Sequence, residues 1–299
     1  MADAAFAGGA LSLWWLPPVY VALTLAVGFG VVVGFHRLLT HRAVVLVRPL
    51  EVLLVVLGLP AGTPVGWVGH HRHHHAHTDD PLDLHSPVHR GFWVAHTGWY
   101  LATTSTTLSV LYAVAGPLRT VFDAFWRPRT NQEFADLARD VAADPLWGPV
   151  SRPVPYAIVL LGWVTGLWLA MGWAFGSPGL VALWLFHIMA YNFGDFVNSW
   201  GHRWGTRSWA AAGDDDFSRD SAVLALLSLG DGWHAGHHAF PGSARCGVLP
   251  GQIDLAWSFC ALCLRLGLAK SAQVPDADDL ARARARIAAR SPPRNGAAA

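Results

Sequence analysis

Charge is what this chain has least of: only 14% of its 299 residues are Asp, Glu, Lys or Arg, where an ordinary soluble domain carries about a quarter. So little charge cannot cover a large aqueous surface, and a bilayer is the expected solvent for part of the chain. Lysine is represented by Lys270 alone, which we read as genomic composition. A formal net charge of +1 offers no basic surface and excludes a nucleic-acid partner. Cysteine is equally sparse. Cys260 and Cys263 form a C-x2-C within the apolar run Leu255 to Leu268, and Cys246 stands apart. Without a second pair they make neither a zinc site nor a disulfide framework, and they read as small core residues one helical turn apart. The N-terminus lacks the basic flank of a cleaved leader, so its apolar stretch is expected to be retained.

Histidine, by contrast, is concentrated. His36 and His41 read H-x4-H; His71, His74 and His75 read H-x2-H-H; His234, His237 and His238 repeat that pattern. On a helix, residues three and four apart share a face, so each trio can aim its imidazoles at one point. The five-residue spacing of His36 and His41 suits a helix end that loosens at Thr40. Asn198 and His202, four apart, add a ninth imidazole and an amide oxygen. Imidazole is the commonest metal ligand, and two metal ions need about this many nitrogens. All-imidazole sites suit iron, zinc or copper, but catalytic zinc uses three protein ligands and a water. Nine histidines with no required carboxylate fit two irons that activate dioxygen. Asp79, Asp80, Asp83 and Asp231 are placed to accept the second ring N–H of ligating histidines, and Asp195, on the Asn198 face, is a further candidate. His70, His73, His77, His85, His89, His96 and mid-span His187 read as ordinary core or surface groups.

A common site constrains topology. Residues 11–35, 155–175 and 179–200 are apolar stretches long enough to span a core of roughly 30 Å, the last two separated by the uncharged turn Gly176-Ser177-Pro178-Gly179. Residues 43–68 are apolar too but carry Arg48 and Glu51 and end in a Gly/Pro series. His41 and His71 must lie on one face of the membrane, so this segment is expected to be interfacial or re-entrant. Arg37, Arg42, Arg72, Arg90, Arg127, Arg203 and Arg207 fall on the cluster side, which the positive-inside rule makes cytoplasmic. The expectation is an all-α integral membrane protein of three to four transmembrane helices, with a cytoplasmic helical cap (69–152 and 201–273) carrying a histidine-box di-metal site. With one span before His36 the N-terminus lies outside; a hairpin in 5–35, bent at Pro17 and Pro18, would place it inside. Residues 119–152 read as the most soluble part of the cap. Residues 1–273 form one membrane-bound domain, and 274–299 read as an arginine-striped helix with a disordered tail from Ser291-Pro292-Pro293.

Several of these stretches carry a resemblance. His36-Arg-Leu-Leu-Thr-His41-Arg42, the His71-Arg-His-His74-His75 run with Asp83-Leu-His85-Ser86-Pro87 behind it, Gly91-Phe-Trp with His96-Thr-Gly-Trp99, and Gly232-Trp-His234-Ala-Gly-His237-His238-Ala-Phe-Pro241 resemble the membrane fatty acyl desaturases. The branch they are most similar to is that of stearoyl-CoA (delta-9) desaturases and bacterial acyl-lipid relatives. Asn198-Ser-Trp-Gly-His202 resembles that branch's Asn-x3-His motif. The match runs in order over roughly residues 20–250. It implies a diiron centre held by nine histidines, the asparagine acting through a water, a kinked acyl tunnel under the cap, and O2 as co-substrate. Departures from the family pattern are one span instead of two before the first box, Leu84 for proline, Asp231 for glutamate, Ala235 for asparagine and Asp220 for asparagine; they bear on substrate more than on metal.

The function expected is therefore O2-dependent desaturation of a fatty acyl substrate in a membrane lipid environment. Tyr20, Thr24, Trp67, Trp93 and Trp99 are expected to line the tunnel. No His-Pro-Gly-Gly haem motif, ferredoxin cysteine set or nucleotide fingerprint is present, so electrons are expected from a separate donor, a ferredoxin or a b-type cytochrome with its reductase. A diiron hydroxylase is the alternative within enzymes. A membrane metal transporter is a distant one, because transporters hold their ions mid-membrane whereas these histidines sit at span ends.

Overall fold

Pro17 and Pro18 stand in the first turn of a helix over Leu16–Phe29, where a missing N–H leaves no bond unmade. The computed structural model describes residues 9–210 and 214–290. It carries this helix unbroken to Thr40, and the rod Leu13–Thr40 is long and apolar enough to cross a membrane. The prolines therefore start one span and do not bend a hairpin. From Gly30 to Thr40 the winding widens to a π-helix, whose bonds close i to i+5. The His41 N–H accordingly donates to the His36 carbonyl at 3.1 Å, and the two rings meet edge to face with centroids 4.9 Å apart. The expected loosening at Thr40 is instead a wider winding of the whole last stretch.

Residues 43–68 enter and return. Strand Val44–Leu46 pairs antiparallel with Ala269–Ala272, and helix Arg48–Gly58 then breaks at Leu59–Ala61 and resumes as Pro64–Ala76, bent by 74°. Its two ends bring His41 and His71 together, their Nε2 atoms 3.0 Å apart, as the expected re-entrant form requires. The segment lies close against the first span. A Cβ built on Gly30 would fall 2.5 Å from the Gly58 nitrogen and 2.7 Å from the Leu54 carbonyl, so only glycine lets the two backbones touch.

Helical residues Pro153–Ser199 hold the other two spans. Gly176 interrupts them at φ 62°, ψ −146°, a left-handed conformation natural only to glycine. Trp168 lies 6.2 Å from His187 across that turn, so the arms run back along each other and return the chain to the side on which it entered.

The cap departs from expectation in one place. Helices Thr106–Ala113 and Pro117–Trp126 belong to an apolar pair bent by 112°. They expose Leu108, Leu111, Leu118, Val121, Phe122 and Phe125 and bury Arg119 and Asp123. This part of 119–152 is thus inside-out relative to a soluble helix and suits lipid contact. The aqueous character begins beyond it, where Asp140 pairs with Arg42 and Arg72, and Asp144 with Arg48. Cys260 and Cys263 are buried thiols on helix Leu255–Arg265. Helix Ala277–Arg290 rests Leu280, Ala283 and Ile287 on the Trp209 cluster; the Ser291-Pro292-Pro293 tail lies outside the described residues.

The Gly30–Gly58 crossing should tolerate no side chain. Gly30→Leu is expected to destabilise the protein by about 2 kcal/mol or more, read as a lower unfolding midpoint in detergent. A variant melting with the wild type would contradict the crossing.

Candidate metal centre

Thr63 caps the helix Pro64–Ala76, its hydroxyl accepting from the Gly66 N–H at 3.0 Å, so His71, His74 and His75 leave a helix with a fixed start. Short helix His234–Ala239 presents the third cluster, the π-wound end of the first span presents His36 and His41, and the end of the last span leads to His202. These four sources converge on two adjoining groups.

In the first, ring nitrogens of His36, His41, His71 and His237 lie within 4.8 Å of one another. His36 and His237 stand 3.0 Å apart at Nε2, and His75 joins with its Nε2 2.8 Å from that of His237 and 3.2 Å from that of His71. In the second, His74, His202, His234 and His238 are gathered: His202 and His234 meet at 2.9 Å, His234 and His238 at 3.2 Å, His74 and His238 at 3.3 Å. All nine expected histidines are in the two groups. Asn198 lines the adjoining cavity together with His234.

Carboxylates hold the rings from behind. Asp231 accepts from His36 Nδ1 at 3.0 Å, Asp83 from His74 Nδ1 at 2.9 Å, Asp79 from His202 Nδ1 at 2.7 Å, and Asp216 from His238 Nδ1 at 3.2 Å. An ionised carboxylate only accepts, so each of these Nδ1 atoms carries a proton, and in a neutral ring the lone pair is then on Nε2. Burial pushes the Asp231 carboxyl up, but the Arg37 guanidinium and His36 bring it down to about 2. Arg37 is itself buried, donating to Asp231 Oδ1 at 2.6 Å. Burial lowers His238 to about 4 and His41 to about 2, so both rings are neutral, the form that ligates.

These residues fit metal ions. His74 and His238 both spend Nδ1–H on carboxylates, so two lone pairs face each other across 3.3 Å. That contact is repulsive unless a cation lies between. Two nitrogens each about 2.1 Å from one ion, at tetrahedral or octahedral angles, stand roughly 3 Å apart, which is the spacing found throughout.

Other expected residues lie elsewhere. Asp80 pairs with His77 at the surface and closes a turn, so it supports no clustered ring. Asp195 accepts from the Tyr100 hydroxyl and from Arg119, away from the imidazoles. Asp216 and Arg37 were not anticipated: Asp216 acts from a loop with no periodicity to signal it, and Arg37 was counted only as a positive charge beside the membrane. His73 turns away, 3.2 Å from the Leu82 carbonyl. His96 bonds Ser199 and Asn192, a structural role.

A cavity of about 150 Å³ opens beside the rings of His36, His71 and His234, and apolar Val27, Trp163 and Phe186 line its membrane end. Thr24 and Trp67 line it as expected. Tyr20 instead bonds Met189 and packs on Phe186, Trp93 packs on Phe92 and His96, and Trp99 lines a separate small pocket with His70.

Long apolar helices, two adjoining histidine groups that could hold metal ions and a cavity at their edge are the features of a membrane enzyme with a metal centre. The fatty acid desaturase family model matches residues 13–248, and the chain belongs to that family. It is similar to the sn-1 stearoyl-lipid 9-desaturase of Anabaena variabilis, 33% identical over 90% of this chain and 84% of the relative. The acyl-CoA C20 Delta5-desaturase of Anemone leveillei is 34% identical over 83% and 70%. The sn-2 palmitoyl-lipid 9-desaturase of a Nostoc species is 32% identical over 81% and 75%.

The carboxylates make separable predictions. Asp83→Asn should weaken metal binding about 10- to 100-fold, as loss of a ring-orienting partner does, whereas Asp80→Asn should leave it near wild type. Equal loss of metal from both, measured by elemental analysis after dialysis, would refute this division.

Proposed function

We propose that the chain is an O2-dependent acyl desaturase that inserts a cis double bond, of delta-9 type, into a saturated fatty acyl chain. The observation that supports this is the cavity, whose lining runs from Thr24, Val27 and Phe186 on the long apolar helices to His36, His71 and His234. Two irons are the proposed occupants, one by His36, His41, His71, His75 and His237, the other by His74, His202, His234 and His238 with Asn198 acting through a water. Iron held there would activate dioxygen, the oxidant that takes hydrogen from an unactivated methylene pair.

The protein's own contribution is position and exclusion of water. Val27, Val32, Trp67 and Trp163 offer the hydrocarbon part of the chain apolar walls, so its methylenes are held by burial, worth about 0.8 kcal/mol each. One C–C bond is then kept beside the rings, which replaces a bimolecular encounter by a fixed geometry. Asp79, Asp83, Asp216 and Asp231 keep each ring from turning as the charge in front of it changes. Reducing dioxygen to two waters takes four electrons, and the methylene pair yields two. A separate donor, a ferredoxin or b-type cytochrome with its reductase, supplies the rest.

Expression in a desaturase-deficient host is expected to yield a new monounsaturated acyl chain. Mass-spectrometric location of the double bond tests delta-9 placement; a hydroxylated product would overturn desaturation itself. His202→Ala should lose iron, while Asn198→Ala should lose turnover with most iron retained. If both lose iron equally, the water-mediated role fails.

The arginines near the centre support a cytoplasmic active site. Ser177→Cys, at the opposite turn, should then label with an impermeant thiol reagent from outside intact cells. Labelling only after permeabilisation would reverse the orientation.

A further inference from the structure

The inside-out helix Pro117–Trp126 and the turn after it carry charges that the metal centre does not use. Arg119 and Asp123 are buried, and Arg127 is 9% exposed. In a lipid-facing element such groups are costly and mark an interior site. Arg119 donates to Asp195 at 2.8 Å, and the Tyr100 hydroxyl takes the other Asp195 oxygen at 2.7 Å. Asp123 accepts from the Tyr112 hydroxyl and faces Arg127 Nε at 3.2 Å. The Arg127 guanidinium carbon lies over the Tyr100 ring, 3.5 Å from its centroid.

The balance of this cluster is uneven. Two arginines and two aspartates cancel in charge, and Asp123 Oδ2 and the Nε atoms of Arg119 and Arg127, which make no hydrogen bonds, face one another as ion pairs at 3.6 and 3.2 Å. Yet Arg127 Nη2 is buried without a hydrogen-bond partner. Asp123 Oδ2 already faces the two Nε atoms, so Arg127 Nη2 is the donor left over and calls for one more oxygen; the cluster, neutral overall, has no surplus positive charge to draw an anion. Tyr100, Arg119, Arg127, Tyr191 and Asp195 line the same cavity as His36 and His234. Asp195 sits three residues before Asn198, about one helical turn away. The apolar end of the cavity lies toward Thr24, Val27 and Phe186.

We infer that this cluster is the carbonyl end of the acyl site, with Arg127 donating to the neutral carbonyl oxygen of an acyl ester or thioester and not to a free carboxylate. The inference rests on the acyl-substrate reading above and adds what sets the register of the chain. With the carbonyl fixed at Arg127 and the methyl end among the spans, the methylene beside the rings is determined by distance from the head.

Binding without turnover tests it. Trp67 and Trp163 line the cavity, so dibrominated acyl probes quench their fluorescence on entry. The full-length protein in nanodiscs is titrated with methyl dibromostearate, dibromostearic acid as its anion, and dibromooctadecane. The wild type should prefer the ester over the alkane about ten-fold or more, the worth of a hydrogen bond to a charged donor. Arg127→Lys keeps the charge beside Asp123 and loses the Nη2 fork. It should bring the ester within about two- to three-fold of the alkane while alkane affinity holds. Arg127→Met serves as a second variant with the same expectation.

Undiminished ester preference in both variants overturns the inference and leaves the acyl reading intact, as does tighter binding of the anion than of the ester. Failure of every probe to quench the wild type overturns both. Dibromostearoyl chains on lysophosphatidylcholine and on coenzyme A tell the oxygen ester from the thioester as source. Sensitivity of either to Arg127→Lys supports the site, and insensitivity of both overturns it.

Discussion

Nitrogen lone pairs turned toward one another are the constraint that the rest of this molecule serves. His74 and His238 face at 3.3 Å with their other nitrogens already committed to Asp83 and Asp216. Neutral rings in that arrangement repel, and a cation between the two nitrogens removes the repulsion. The carboxylates therefore do more than orient: they remove the tautomer that would let one ring donate to the next. The carboxylates are in turn held by protein donors. Asp231 has Arg37, Asp83 accepts the Asp79 and His85 N–H groups, and Asp79 accepts Ser86 and the Phe217 N–H.

Bringing four stretches of sequence to that point dictates the path of the chain. A helix cannot cross and still offer His41 and His71 to one site, so residues 43–68 turn back at the break after Gly58, and the last two spans fold at Gly176. The glycines matter because backbone must lie on backbone. At Gly30 and Gly58 the first span and the re-entrant helix touch through carbonyl and amide alone, which holds the π-wound His36–His41 stretch against the His71 helix.

How much of this was legible in the sequence depended on whether a periodicity carried the information. The trios at three and four spacing, and Asn198 with His202, declared their common faces because a helix has one repeat. The spans declared themselves by length. What stayed hidden was set by tertiary contact. Asp216 sits in a loop whose register no pattern reveals. Asp80 was indistinguishable from Asp79 and Asp83 until the turn at Asp80–Asp83 aimed it outward at His77. Trp93 and Trp99 looked like tunnel walls because indole is apolar, yet their neighbours Phe92, His96 and His70 claim them. The five-residue step from His36 to His41 fits neither an α-helix nor a strand, and the π winding that explains it could be read only as irregularity.

The most instructive misjudgement is residues 119–127. Arg119, Asp123 and Arg127 recur every fourth residue, a pattern that in water marks a solvated face, and composition made the stretch appear soluble. In a bilayer the same period has the opposite sense: the apolar face with Leu118, Val121, Phe122 and Phe125 is the solvated one, and the charged stripe is the core. Periodicity fixes which residues share a face but says nothing of which solvent that face meets. For a chain poor in charge, a short charged stripe beside apolar residues is therefore better read as the lining of an interior site, paired within itself as Arg119 is with Asp195 and Arg127 with Asp123.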